Sequence, residues 1–297
     1  MANIKKRMPP QNNTGALYVV ATPIGNLEDM SPRVIKTLAE VDLIACEDTR
    51  HTKTLCNAFN ISTPLCSYYR EKEQEKSEIL VNLLKSGKKI ALVSDAGTPA
   101  ICDPGAILVN KARSAGIKII AIAGPSALTA SLSIAGLADS KFFFGGFLPA
   151  NTTERKKFLR SISALPFALI FYETPHRIHA SLADMADILG DRQAKLFREL
   201  SKIHEECIDG TLVSLHEQIH AGVKGELVLM VEGASPPQKE KPEHIEGLLI
   251  WYRDELRTSL KDAVHSIATE LNLPRSHVYK LALALWNTSE DDPVSQN

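Results

Sequence analysis

Apolar positions in this chain switch repeatedly between short continuous runs and helical spacing. The β-branched run 17–21 gives way to the amphipathic stretch 32–41, and the strand-like run 43–46 to the helical stretch 52–59. The alternation continues with 65–69 as a strand, 75–84 as a helix closed by Gly87, 90–93 as a strand, 105–115 as a helix closed by Gly116, and 117–123 as a strand leading into 125–134. Strands that are apolar at nearly every position have both faces covered. Alternating with helices, they predict a parallel sheet in an α/β domain over residues 15–138.

After Asp139 the rhythm changes. Runs 142–147 and 167–172 are aromatic-rich, and 196–198, 211–215 and 226–231 follow as further strands with fewer intervening helices, which predicts a second α/β domain with a mixed sheet over 139–233. Residues 234–243 lose periodicity and carry three prolines, the composition of a linker. Beyond it, 244–297 reads as a small helical module and tail, and 1–14 as a flexible N-terminal segment. In the module Ser259 and Asp262 resemble a capping box, Ala263, Ile267 and Ala268 share a face, 271–273 break the helix, and Pro274 opens a second helix with Val278 and Leu281 inward. That pattern fits a helix-turn-helix and an ordinary helical hairpin alike. Seven basic and seven acidic residues between Lys239 and Lys280 do not separate the two.

Composition narrows the class. At 44% hydrophobic and 23% charged, the 297 residues are those of a folded globular protein of about two domains, which excludes disordered, collagenous and coiled-coil chains. Lys plus Arg is 34 against 35 Asp plus Glu, so a nucleic acid would have to be drawn by a local patch. The five cysteines form no C-x-x-C pair, which signals neither a disulfide framework nor a zinc site and suits a reducing compartment. No metal is expected. No apolar run approaches the roughly 18 residues of a membrane span, and the basic start lacks an apolar core, so a cytoplasmic protein without a membrane partner is expected.

The turns at the carboxyl ends of parallel strands are where α/β folds bind ligands. Three are unusual here: Thr22-Pro23-Ile24-Gly25-Asn26-Leu27, Ser94-Asp95-Ala96-Gly97-Thr98-Pro99-Ala100 and Gly124-Pro125-Ser126-Ala127. Neither G-x-G-x-x-G nor G-x-x-x-x-G-K-[ST] occurs, which argues against an NAD oxidoreductase and a P-loop NTPase. Small-residue loops with exposed carbonyls, a carboxylate and an apolar slot instead suit a cationic ligand with a flat heterocycle, such as S-adenosylmethionine. Asp95 would face its cation, and the amides after Ser126 its carboxylate. Glu47, Asp48, Arg50 and His51 end the second strand as a dense polar cluster, although a capped helix start looks the same. Arg155, Lys156, Lys157 and Arg160, with Lys5, Lys6 and Arg7, are candidate phosphate contacts, as is Arg275 in the tail, with a solvated helix face as the alternative.

Several strings in this order, Ala21-Thr22-Pro23-Ile24-Gly25-Asn26-Leu27, Glu47-Asp48-Thr49-Arg50-His51, Ser94-Asp95-Ala96-Gly97-Thr98-Pro99, Asp103-Pro104-Gly105, Gly146-Phe147-Leu148-Pro149 and Arg198-Glu199-Leu200, resemble the tetrapyrrole-methylase superfamily. Within it they resemble the branch that methylates a cytidine ribose in bacterial 16S rRNA, over about residues 15–233, and the tail resembles that branch's helix-turn-helix appendage. The resemblance implies two α/β domains with S-adenosylmethionine in the cleft between them, a homodimer, and methyl transfer to a 2′-hydroxyl of a decoding-centre cytidine in the small ribosomal subunit. Carried over by position, the cofactor residues are Pro23, Ser94, Asp95, Ala96, Gly97, Thr98, Pro99, Ser126, Ala127, Tyr172, Gly225 and Glu226. Around the reacting oxygen the expectation is Glu47, Asp48, Arg50, His51 and Lys202. Cys102, Ser201 and Pro274 depart from the branch's pattern, the last in the helix that would dock. A methylase of a small tetrapyrrole and a non-catalytic RNA-binding protein are the rival readings.

Overall fold

Ser31 caps the first helix, its hydroxyl accepting the Val34 amide at 3.2 Å with Pro32 at the first helical position, and such caps set the β-α rhythm that follows. The computed structural model describes residues 15–219, 222–235 and 242–286. Strands β1 (Ala16–Val20), β2 (Leu43–Cys46), β3 (Leu65–Ser67), β4 (Lys89–Val93) and β5 (Lys118–Ile122) alternate with α1 (Pro32–Glu40), α2 (Thr49–Ala58), α3 (Glu73–Lys85), α4 (Ala106–Ser114) and α5 (Ala127–Ile134). All five strands are parallel, in the order β3-β2-β4-β1-β5. One face packs Val20, Leu38 and Ile44 against α1 and α2, and the other packs Leu17, Ile90 and Leu92 against α3 and α4. This is the doubly covered sheet that the continuous apolar runs require.

The second half contributes β6 (Phe142–Phe147), α6 (Thr152–Ile162), β7 (Ala168–Glu173), α7 (Ile178–Leu189), β8 (Gln193–Arg198), β9 (Glu206–Thr211), α8 (Leu212–Gln218) and β10 (Leu227–Val231). The sheet order is β6-β7-β10-β8-β9, with β6 parallel to β7 and the other pairs antiparallel, the mixed sheet that was expected. One difference is instructive. Residues 211–215 begin a helix, not a strand: Thr211 caps α8 in a reciprocal pair with Ser214. The strand lies just before it, and its charges, Glu206 paired with Arg198 and Asp209 with Lys195 across the ladder, look in sequence like a solvated face.

Leu159, Phe171, Leu182, Met185, Leu196 and Leu229 form the core under α6, α7 and α8. On the other face, Ile170, Phe197, Val228 and Met230 pack against Ile24, Ala135 and the inner side of α5. Both sheets thus belong to one compact unit that ends at Ala234.

The second unit is a three-helix module, α9 (Ile245–Asp254), α10 (Leu260–Glu270) and α11 (Arg275–Trp286), around Leu248, Leu249, Ile267 and Val278. Ser259 caps α10 as predicted, while α9 has no sequence counterpart among the two helices expected. The N-terminal segment and residues 236–241 of the expected linker lie outside the described residues. No described helix is long and apolar enough to cross a membrane.

Candidate active site

The three unusual turns meet at the carboxyl edge of the first sheet and are tied to one another. Thr22 and Gly97 exchange backbone hydrogen bonds, with the Thr22 amide 2.9 Å from the Gly97 carbonyl and the reverse bond 3.1 Å long. The Thr22 hydroxyl donates to the Ser94 carbonyl at 3.1 Å, the Ser94 hydroxyl to the Ala96 carbonyl at 3.2 Å, and the Thr98 hydroxyl to the Pro125 carbonyl at 3.3 Å. Opposite them stand the ends of β6, β7 and β8 and the start of β10. The space between is a cavity of about 370 Å³.

Nine of the twelve expected cofactor positions line this cavity: Asp95, Ala96, Gly97, Thr98, Ser126, Ala127, Tyr172, Gly225 and Glu226. Pro23, Ser94 and Pro99 do not; they are buried behind the lining, where they hold the turns in shape. Ile24, Ile101, Phe147, Leu200 and Val228 supply an apolar slot, and Cys102, Asp103 and the Glu173-Thr174-Pro175 corner complete the wall. Sequence reasoning passed over these as site residues. Ile24, Asp103, Phe147 and Leu200 carried a signal only through the strings they sit in, whereas Ile101 and Val228 look like any core residue before folding.

The Tyr172 hydroxyl accepts the Leu128 amide at 3.1 Å. One of the amides expected to take a ligand carboxylate is therefore already occupied. Burial pushes the Tyr172 phenol up.

None of the five residues expected around the reacting oxygen lines the cavity directly. Glu47 lies just beyond the lining: burial pushes its carboxyl up, and the neighbouring Asp95 and Asp103 charges add to the effect. Asp103 is pushed up chiefly by its own burial. Asp48 caps α2, and its side-chain bonds with Arg50 hold it down at about 2. The guanidinium is 2.8 Å from one carboxylate oxygen. The Asp48 amide in turn donates to the Asp95 carboxylate at 3.1 Å, so the start of α2 aims a cavity carboxylate. His51 is exposed on α2. The Lys202 ammonium lies 2.8 Å from Glu199 and 3.1 Å from Glu226. Burial works to lower its pKa, but the two carboxylates outweigh burial and the net direction is upward. Lys202 is thus a fixed cation.

Two glycines make room for that arrangement. Gly25 (φ +145°) passes so close to Lys202 that a Cβ would lie 2.4 Å from its side chain. Gly225 (φ +95°) would place a Cβ 2.4 Å from the Glu199 carboxyl, which accepts the Glu226 amide at 2.9 Å. Gly225→Ala is therefore expected to cost about 1–3 kcal/mol through the left-handed backbone alone, and to displace Glu199 from Lys202 as well. Urea unfolding measures it, and an unchanged midpoint would contradict this account.

The basic residues of α6 separate in the structure. Expected at an RNA surface, Arg155 is instead buried, its Nε 2.7 Å from Asp184, its Nη1 donating to the Pro149 and Ala150 carbonyls and its Nη2 to the Thr152 hydroxyl. The helical pattern put one arginine of the cluster on the inward face. Lys156 is paired with Asp187 at 2.8 Å and Asp184 at 3.4 Å, while Lys157 and Arg160 are exposed. Arg275 is exposed in the second unit beside His265, and Lys5, Lys6 and Arg7 lie outside the described residues.

Comparison with known proteins agrees with this architecture. The Tetrapyrrole (Corrin/Porphyrin) Methylases family matches residues 16–216. Ribosomal RNA small subunit methyltransferase I of Pseudomonas aeruginosa is 42% identical over 275 residues, 91% of this chain and 98% of that protein. The protein of the same name from Synechocystis is 43% identical over 279 residues, 91% and 98% of the two chains. Among solved structures, uroporphyrin-III C-methyltransferase of Thermus thermophilus, described as complexed with S-adenyl homocysteine, superposes with a TM-score of 0.53 at 19% identity, over 73% of this chain and 97% of that one. The last likeness concerns the fold. The chain therefore belongs to the tetrapyrrole methylase family and, within it, to the ribosomal RNA small subunit methyltransferase I family.

Proposed function

We propose that this methyltransferase uses S-adenosylmethionine to methylate the ribose 2′-hydroxyl of a decoding-centre cytidine in 16S rRNA of the small ribosomal subunit, acting in the cytoplasm as a homodimer. The observation that carries the reading is the cavity between the sheets. Its apolar slot suits a flat heterocycle, the carboxylates of Asp95, Asp103 and Glu226 suit a cation and sugar hydroxyls, and no diphosphate-binding glycine loop is present. At about 370 Å³ it falls within the range of small-molecule sites. The residues present therefore fit the cofactor, which would be held by Asp95 to Thr98, Ser126, Ala127, Tyr172, Gly225 and Glu226, with Pro23, Ser94 and Pro99 supporting them from behind.

When bound, S-adenosylmethionine supplies an electrophilic methyl group. The protein's task is then to hold the ribose oxygen in line, exclude water and receive a proton. Ile24, Leu200 and Val228, buried in the wall, exclude water. Of the five candidate polar residues, Arg50 stays protonated, Asp48 is too weak a base, and Lys202 is locked as an ammonium, which leaves Glu47 and His51 able to accept a proton. Glu47 is the better placed, because it shares the charge environment of Asp95 and Asp103, both in the cavity wall.

Mapping ribose methylation on small-subunit RNA from cells with and without the protein tests the substrate. Loss of one cytidine 2′-O-methyl mark without the protein supports the proposal. An unchanged map, with labelled methyl transferred to a porphyrinogen instead, would favour a small-molecule methylase. Support for the dimer comes from apolar surface: the edge strand β5 is a half-exposed Ile119-Ile120-Ala121 run, and Ile134 and Phe142 are exposed. Light scattering should give twice the 32.6 kDa chain mass, and a monomer across micromolar concentrations would refute it.

A further inference from the structure

The carboxylates around the cavity pose a problem for an RNA substrate. Asp95 and Asp103 line the wall and Glu47 lies just behind, so a phosphate backbone approaching this rim meets like charge. The cations nearby are mostly engaged. Lys202 is held by two carboxylates, Arg198 by Glu206 at 2.8 Å, and Arg177 by the Leu148 carbonyl beside Glu173.

Arg70 is different. It leaves β3 in the short turn Arg70–Lys72 with its side chain exposed, and among the described residues it donates one hydrogen bond, 3.0 Å long, to the carbonyl of Cys102. Among the described residues no carboxylate lies within ion-pair distance of it. Cys102 and Asp103 are cavity wall, so the guanidinium is fastened to the rim, where its charge acts on the Glu47 and Asp103 carboxyls. The position also suits a chain lying along the edge. Strands β2 and β3 are parallel neighbours, with Cys46 beside Ser67, so the segments carrying Arg50, His51 and Lys53 and those carrying Arg70 and Lys72 emerge side by side. A guanidinium fork matches two phosphate oxygens as an ammonium does not.

We infer that Arg70 binds a backbone phosphate flanking the nucleotide to be methylated, and so orients the ribose at the cavity mouth. This rests on the methyl-transfer reading above. Arg70 bonds none of the nine lining residues assigned to the cofactor, so its removal chiefly takes away one phosphate contact. The rival explanation, that Arg70 only offsets the neighbouring acids, predicts a displaced pH profile with no effect on RNA.

The test uses the full chain with Arg70→Ala and Arg70→Lys, labelled S-adenosylmethionine and small-subunit particles, over a series of salt concentrations. Arg70→Ala should raise KM for the particle about tenfold. Its calorimetric cofactor affinity should stay near wild type, while kcat falls because the ribose loses its orientation. The slope of log affinity against log salt should fall by about one, and Arg70→Lys should recover part of the loss. An unchanged particle KM, or a raised KM with an unchanged salt slope, overturns the role of Arg70 alone. A wild-type chain that binds no cofactor and methylates no particle removes the methyl-transfer reading and this inference together.

Discussion

Glu47→Gln is expected to lower single-turnover methylation of small-subunit particles by about 10²–10⁴-fold while cofactor binding persists, the range that a positioned general base contributes. The amide keeps the shape but is far too weakly basic to take the ribose proton. In the wild type the rate should rise with pH as Glu47 ionises, with a midpoint above the ordinary 4.5 of a glutamate, because burial and the Asp95 and Asp103 charges oppose ionisation. Stability should move the other way. A carboxyl whose pKa is raised by folding favours the folded state below its unfolded pKa and loses that advantage as pH rises through the folded value. Glu47→Gln should therefore be at least as stable as wild type at neutral pH. Rate measurements and urea unfolding on the same variant check both signs. If both Glu47→Gln and His51→Ala turn over at wild-type rate, neither residue is the base.

Arg155→Ala should be the most destabilising of the substitutions considered, by about 3–5 kcal/mol, because it leaves the Asp184 carboxylate in the interior without its main partner. Lys156, 3.4 Å from the other Asp184 oxygen, offsets part of the loss and places the expected value at the lower end. The Pro149 and Ala150 carbonyls lose their donor as well. RNA affinity per folded molecule should not change, whereas Lys157→Ala, on the exposed face, should leave stability nearly untouched. A drop in RNA affinity from Arg155→Ala with an unchanged unfolding midpoint would reverse this assignment.

The first sheet was legible because its strands are continuous apolar runs separated by capped helices, a pattern that permits little besides a parallel sheet. The second was legible only in part. β9 is an edge strand stabilised by charge pairs across to β8, and a charged strand carries no hydrophobic period to read. α8 was hidden because Thr211, Leu212 and Val213 have the composition of a strand and helix formation there depends on the Thr211–Ser214 cap. In the site, the turns announced themselves through small residues and an aspartate. The apolar wall did not, since Ile101 and Val228 become wall residues only when the second sheet faces the first. The mis-assigned Arg155 has a similar cause: four basic residues within two helical turns must point in several directions, and spacing alone does not say which one is covered.

Tyr172 belongs to the second sheet, yet its hydroxyl closes the beginning of a helix that belongs to the first. The two halves therefore each contribute an unfinished piece of one receptacle. A polypeptide severed near residue 138 would yield fragments that are individually deficient, the first with an unsatisfied Leu128 amide and the second with a naked aromatic floor. Ligand recognition would return only on their reassembly, which makes complementation between separately expressed halves a sensitive reporter of whether this seam has formed.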